Sequence, residues 1–211
     1  MESLLLMGGG GHCKACIDVI EQTGEYQIVG VVDLPEKLHQ KILGYEIIGC
    51  DGDLPNLVKK YKNCLITLGQ IKNPDKRIKI FKQIKELGAD LPVIISPLAY
   101  VSKHAVIKEG TIIMHHALVN ADVKIGKNCI VNSKALVEHD ARIEDHCHLA
   151  PGSVLSGGTS LGWGSFFGSN SMSKEYISIG SESLIGGGAT VLQNLPAGSR
   201  VKALDPQIKQ D

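Results

Sequence analysis

From Val101 onward the chain repeats itself every six residues, a period that few folds accept. Large aliphatic or aromatic side chains recur at Val101, Ile107, Ile113, Val119, Ile125, Val131, Val137, Ile143, Leu149, Leu155, Leu161 and Phe167, then at Ile179, Ile185 and Val191; Ser173 alone breaks the series. Two residues before each lies a second column of mostly small side chains, among them Ala105, Thr111, Ala117, Cys129, Ala135, Cys147, Ser153 and Ser165. Such a hexapeptide period predicts a parallel β-helix, with large residues filling the interior and small ones fitting the corners. Glycine or asparagine often follows the large residue, as at Asn120, Gly126, Asn132, Gly162 and Gly168, and these positions are expected to supply the relaxed dihedrals of the corners.

Before Pro97 the pattern is different. Apolar runs alternate with amphipathic segments in the order "SLLLM", "HCKACIDVIEQTG", "YQIVGVVD", "DLPNLVKKY", "NCLITLG", "PDKRIKIFKQIKELG" and "LPVIIS". That β-α-β-α-β-α-β order predicts a small parallel sheet covered by helices. The expected fold class is therefore α/β plus all-β, a Rossmann-like domain over 1–96 followed by a β-helix over 97–211 with a C-terminal tail.

Composition limits the function. A chain of 211 residues, 43% apolar, fits one or two globular domains. Lysine plus arginine (22) equals aspartate plus glutamate (22) and no basic block stands out, so no nucleic-acid partner is expected. The start "MESLLLMGGGG" lacks a basic leader and a cleavage site, and no later run reaches membrane-spanning length; the expectation is a cytoplasmic protein without a membrane partner. Six scattered cysteines read as reduced thiols. Cys13 and Cys16 form a CxxC, but Cys16, Val19 and Ile20 also make up the apolar face of the same helix, and one pair is weak ground for redox or zinc chemistry.

The run "GGGGHCK" follows a strand and opens a helix, which makes it a phosphate cradle in type. Asp33 closes the next strand about 20 residues on, where dinucleotide folds place a ribose-binding acid. A G-x-G-x-x-G motif would need a third glycine where this chain has Cys13 or Lys14, so a dinucleotide cofactor is not expected.

On "GGGGHCK", "NSKALVEHD" at 132–140, His148 and "IGGGATVLQNLPAGS" at 185–199, the whole chain resembles the bacterial left-handed β-helix sugar acyltransferases that include UDP-4-amino-sugar N-acetyltransferases and sialic-acid O-acetyltransferases. The resemblance implies a homotrimer, acetyl-coenzyme A lying between neighbouring β-helices, and a nucleotide-linked amino sugar held by the N-terminal domain. It implies acceptor contacts at Gly10, Gly11, His12 and Asp33 and coenzyme contacts at Gly157 and Gly187. Arg200, Lys202 and Lys209 are candidates for the coenzyme phosphates.

The stretch "ALVEHDARIEDHCHLA" at 135–150 carries the chemistry. An imidazole titrates near working pH and can take a proton from an attacking amine or hydroxyl. The register puts Glu138, His139 and Asp140 on an outer turn, with His139 as the general base. A neighbouring carboxylate would orient it; the resemblance assigns that role to Asp140, with Glu138 as competitor. By the same resemblance Asn132 frames the site, His148 reaches the acceptor or the acetyl group, and the Gly157 N–H faces the thioester oxygen. "HCH" at 146–148 has zinc-ligand chemistry, but Cys147 falls in the small-residue column, so no metal is expected; His146 is read as a solvated neighbour, and His115 and His116 receive no role. Three departures from the family stand out. Cys13 replaces a usual glycine and is expected to crowd the phosphate approach. "SNSMSKEY" at 169–176 is expected to bulge, and "VKALDPQIK" replaces the family's C-terminal valine-glycine-x-proline-alanine turn. The function expected is acetyl-coenzyme A-dependent N-acetylation of a nucleotide-linked 4-amino sugar; the alternatives are O-acetylation of a sialic-acid-type sugar and a non-catalytic scaffold or sensor.

Overall fold

A computed structural model of the chain describes residues 1–203; Lys209 lies outside the described residues. The N-terminal sheet is built around β1 (Glu2–Met7), with β2 (Tyr26–Val32) and β5 (Asn63–Ile66) parallel to it on either side. Helix α1 (Gly11–Thr23) starts directly after the glycine run, buries Cys13, Cys16, Ile17 and Ile20 at helical spacing and stops at Gly24, which takes a left-handed φ of 66°. Cys13 therefore faces the core, where its thiol is raised by burial, and it does not crowd the glycine turn as expected. Helices α2 (Leu54–Lys60) and α3 (Asp75–Glu86) complete the layer.

Two features differ from the sequence expectation. Between β2 and α2 the chain inserts a hairpin, β3 (Lys41–Ile42) and β4 (Tyr45–Gly49), turning at Leu43 and Gly44, both at positive φ. The sheet runs β3-β4-β2-β1-β5 and is mixed at that edge. The last expected strand, "LPVIIS", does not join this sheet. Ile94–Ile95 (β6) pairs in parallel with Ile112–Ile113 and opens the β-helix, because the outward side chains of Ile94, Ile112 and Ile130 form a common core with Leu4, Leu6, Cys13 and Ile17.

Each β-helix coil has three two-residue strands, and strands pair with those 18 residues on, as Lys124 does with Arg142 and Ile130 with His148, until the last coil, where Leu184 pairs with Arg200 only 16 residues on. The result is a left-handed triangular prism. Its docking face, with Ile112, Ile130, His148, Phe166 and Leu184 pointing out, receives the N-terminal domain. Its apolar face presents Tyr100, Leu118, Leu136, Val154 and Met172. Its polar face presents Val106, Lys124, Arg142, Ser160 and Ser178. The second residue of each strand points inward and forms one continuous core.

The corners work differently from the expectation. The left-handed residue is the third after the inward one, as at Lys134, Asp140, His146, Gly152 and Gly158. The glycines directly after the inward residue serve close approach instead: a Cβ on Gly126 would come 2.6 Å from the Asp145 amide nitrogen, and one on Gly168 2.5 Å from that of Gly187. The segment 169–176 does not bulge. Met172–Ser173 is a strand in register, and the inward Ser173 hydroxyl is satisfied by the Ser156 N–H (3.0 Å) and the Thr159 hydroxyl (3.3 Å).

Leu155 is fully buried in the prism core. Truncating it in Leu155→Ala is expected to cost about 2–5 kcal/mol of stability, read as a lowered urea midpoint.

Candidate functional site

The turns that end β1, β2 and β5 all lie at the carboxyl edge of the parallel strands, where open α/β sheets collect ligands. Gly10 caps α1, and a Cβ on Gly10 or Gly11 would meet nothing within 4 Å, so the turn is open to a ligand. On one side of Gly10 a cavity of about 720 Å³ is lined by Gly11, His12, Leu68 to Lys72, Asn132 and His148. On the other side one of about 400 Å³ contains Asp33, Lys37, Lys76 and Lys79. Asp33 thus sits apart from His148. Its carboxylate accepts the N–H groups of Gly9 and Leu34 (both 2.8 Å) and meets Lys37 at 3.2 Å. Burial would raise its pKa, but these donors outweigh that and hold it below the usual range.

His148 lies on the docking face, 6% exposed. Its Nδ1 is 2.6 Å from the Gln70 carbonyl and its Nε2 3.1 Å from the Asn132 amide nitrogen. Burial, reinforced by Arg77, lowers its pKa to about 4 despite the Gln70 contact. The His12 ring, 6.3 Å away, is pushed down to about 3 by burial, Arg77 and His148, and its Nε2 has no partner. The cavity wall therefore holds two neutral imidazoles.

His139 lies elsewhere, on the edge between the apolar and polar faces. Its Nδ1 meets Asp140 Oδ2 at 2.7 Å, while Glu138 is taken up by Asn120 (2.9 Å) and the His139 N–H (3.3 Å). Asp140 reaches the ring because its backbone is left-handed, at φ 62°. One coil on, Gly157 lies under the imidazole: a Cβ there would be 2.8 Å from Nε2. The Ser156 hydroxyl donates to Ser173 O, so among the described residues no acceptor meets the Gly157 N–H. Tyr176 covers Gly158 on the same edge.

The structure thus brings Asn132 and His148 together, and His139, Asp140 and Gly157 together, but places the two groups on different edges of one prism. Gly187 is exposed on the edge that carries Asn132, and Lys202 runs beside its neighbour Gly186. Arg200 is apart from both groups: its Nη1 donates to Glu182 O (2.6 Å), Gly198 O and Ser199 O, beside a cavity of about 190 Å³ shared with Gln70 and Asp75.

His146 corrects another expectation. It is 7% exposed, wedged edge-on between Phe81 and Trp163, and its Nδ1 meets the Asn128 amide at 2.9 Å. Cys147 points into the core, and among the described residues no three His, Cys, Asp or Glu side chains are placed to share a metal. His115 bridges Ser96 (2.6 Å) and Asp18 (2.9 Å), tying α1 to the first coils. Sequence reasoning missed Gln70 and the rest of "LGQIK"; the signal available was its place after a parallel strand.

Residues 3–84 match the family model "PglD N-terminal domain", and residues 104–139 match "Bacterial transferase hexapeptide (six repeats)". A histidine-to-asparagine variant of perosamine N-acetyltransferase from Caulobacter crescentus, in complex with CoA and GDP-perosamine, is 30% identical; the alignment covers 100% of this chain and 98% of that one, with a TM-score of 0.90. The chain belongs to the left-handed β-helix sugar acyltransferases. This acyltransferase is also similar to the acetyltransferase domain of PglB from Neisseria gonorrhoeae FA1090 in complex with acetyl coenzyme A, at 30% identity, 96% coverage of both chains and a TM-score of 0.88. No helix among its described residues is long and apolar enough to cross a membrane.

His12, His146 and His148 have pKa values of about 3, 4 and 4 in the folded acyltransferase against 6.5 for a free imidazole. Between those values the unfolded chain binds more protons, so stability falls as pH drops from 6.5 toward 4. Urea midpoints measured across that range should decline, and less steeply in His148→Asn.

Proposed function

We propose that the protein transfers the acetyl group of acetyl-coenzyme A to the amino group of a nucleotide-linked 4-amino sugar. The observation that carries this is the pairing of His139 with Asp140 directly over Gly157. A carboxylate accepting from Nδ1–H leaves the lone pair on Nε2, which with Cε1 forms the side of the ring nearest Gly157. The acceptor nitrogen attacks the thioester carbonyl carbon, and the Gly157 N–H donates to the oxygen as it gains charge. His139 Nε2 takes the proton from nitrogen; the C–S bond then breaks and coenzyme A leaves as the thiolate, which the imidazolium can protonate. The two β-helix cysteines are not placed for an acyl-enzyme: Cys129 and Cys147 are sealed in the prism core. The sugar occupies the cavity of Gly10, Gly11, His12, Asn132 and His148. The nucleotide extends past Gly10 toward Asp33, Lys76 and Lys79, whose ammonium groups suit a diphosphate. The choice of nucleotide stays open, and the Caulobacter relative holds a GDP sugar.

In this reading the working unit is a homotrimer. Tyr100, Leu118 and Met172 leave a flat apolar stripe exposed on one face. Three prisms that turn this face toward a threefold axis each set one edge against the opposite edge of the next. His139 and Gly157 of one copy then meet Asn132, His148 and Gly187 of its neighbour, and the coenzyme lies in the seam.

Thiol release from acetyl-coenzyme A should require a 4-amino nucleotide sugar, give a product stable to mild base, and fall about 10²–10⁴-fold in His139→Ala. A base-labile product formed only with a sialic acid would transfer the assignment to O-acetylation, and silence with every acceptor would sink the reading. His139→Ala and His148→Ala subunits, each inactive alone, should regain turnover when unfolded together and refolded, with about a quarter of seams intact; no recovery in mixed trimers would place each site within one chain.

A further inference from the structure

Arg77 is a fully buried cation that the proposed reaction does not use. Its Nη1 donates to Ile66 O (3.2 Å) and Leu68 O (2.6 Å), and its Nη2 to Asn128 O (3.0 Å) and Asn128 Oδ1 (2.6 Å); Nε has no partner. Burial lowers its pKa to about 10, which leaves it charged at neutral pH. A buried charge served only by neutral acceptors costs stability, so its contacts are informative. Two acceptors belong to the segment leaving β5, and two belong to a corner of the β-helix. Arg77 therefore pins that segment against the prism, two residues before Gln70.

The Gln70 carbonyl is what His148 Nδ1 meets at 2.6 Å. A carbonyl only accepts, so the proton is on Nδ1 and Nε2 carries the lone pair, toward which the Asn132 amide donates at 3.1 Å. The Gln70 side chain strengthens the placement by donating to His146 O (3.0 Å) and Gly164 O (3.3 Å).

We infer that Arg77 is a positioning residue: by holding the Ile66 and Leu68 carbonyls against Asn128, it places the Gln70 carbonyl that locks His148 in the Nδ1–H tautomer. Nε2 is thereby kept as the acceptor of the pair, held by the Asn132 amide until a sugar amine takes that amide's place. The kinetic consequence rests on the proposed role of His148; the tautomer does not.

Long-range proton–nitrogen correlation spectra of protein labelled with nitrogen-15 histidine, with His148 assigned by its loss in His148→Asn, read the tautomer directly at neutral pH. The wild type should show Nδ1–H. In Arg77→Gln an Nε2–H population should appear, and kcat for the amino sugar should fall by up to about 100-fold, the size expected for a small misplacement, with KM for acetyl-coenzyme A unchanged. If Arg77→Gln does not fold, Asn128→Gly removes the Oδ1 anchor at a φ of 52° that glycine accepts, and the same change is expected. An Nε2–H signal in the wild type, or an unchanged Nδ1–H signal in a folded variant, overturns the inference whatever the kinetics. A tautomer shift in an enzyme that acetylates no amino sugar would uphold it while the proposed acceptor fails.

Discussion

Parallel hydrogen bonding between successive coils ties residues 18 positions apart along all but the last coil, and the rest of the prism follows from that registry. Strands stack at about 4.8 Å, so a side chain on one coil has only the next coil as its floor. His139 rests on Gly157 because nothing larger fits beneath it, and Tyr176 lies over Gly158 for the same reason. The left-handed residue three places after each inward side chain turns the chain through the corner. At position 140 it also swings a carboxylate onto the neighbouring imidazole. Structural rule and chemical pair are one piece of backbone.

The β-helix was legible because its period is enforced by volume: one large side chain per strand fills the triangular interior, and that requirement repeats without regard to function. His139 and Asp140 stand out through the resemblance carried by "NSKALVEHD", not through the period, and the structure pairs their side chains at 2.7 Å. The dihedral rule of the corners does not follow from the period. Glycine after the inward residue looked like a turn signal, but it answers to crowding by the next coil, and periodicity cannot separate the two demands. The bulge expected over 169–176 does not form because the inward Ser173 hydroxyl accepts from the Ser156 N–H and donates to the Thr159 hydroxyl.

What stayed hidden depends on contacts between the domains. Arg77 looked like one of several basic residues on an amphipathic helix, and only the docking of α3 against the prism reveals that it is buried. His146 looked solvated until Phe81 and Trp163 closed around it. "LPVIIS" reads equally well as the last strand of a sheet or the first of a β-helix, and Ile94 decides by the core it shares with Leu4 and Ile112. No local pattern encodes such choices, because the partner lies dozens of residues away.

Gly157 carries a consequence for how this site can change. Its missing side chain makes room for the His139 ring, and its N–H meets no acceptor among the described residues. In the proposed mechanism, proton acceptance and oxyanion binding therefore share one atom's worth of space, and any side chain added there displaces the ring while narrowing access to the amide. Neither of these proposed roles can be tuned by substitution at this position without disturbing the other.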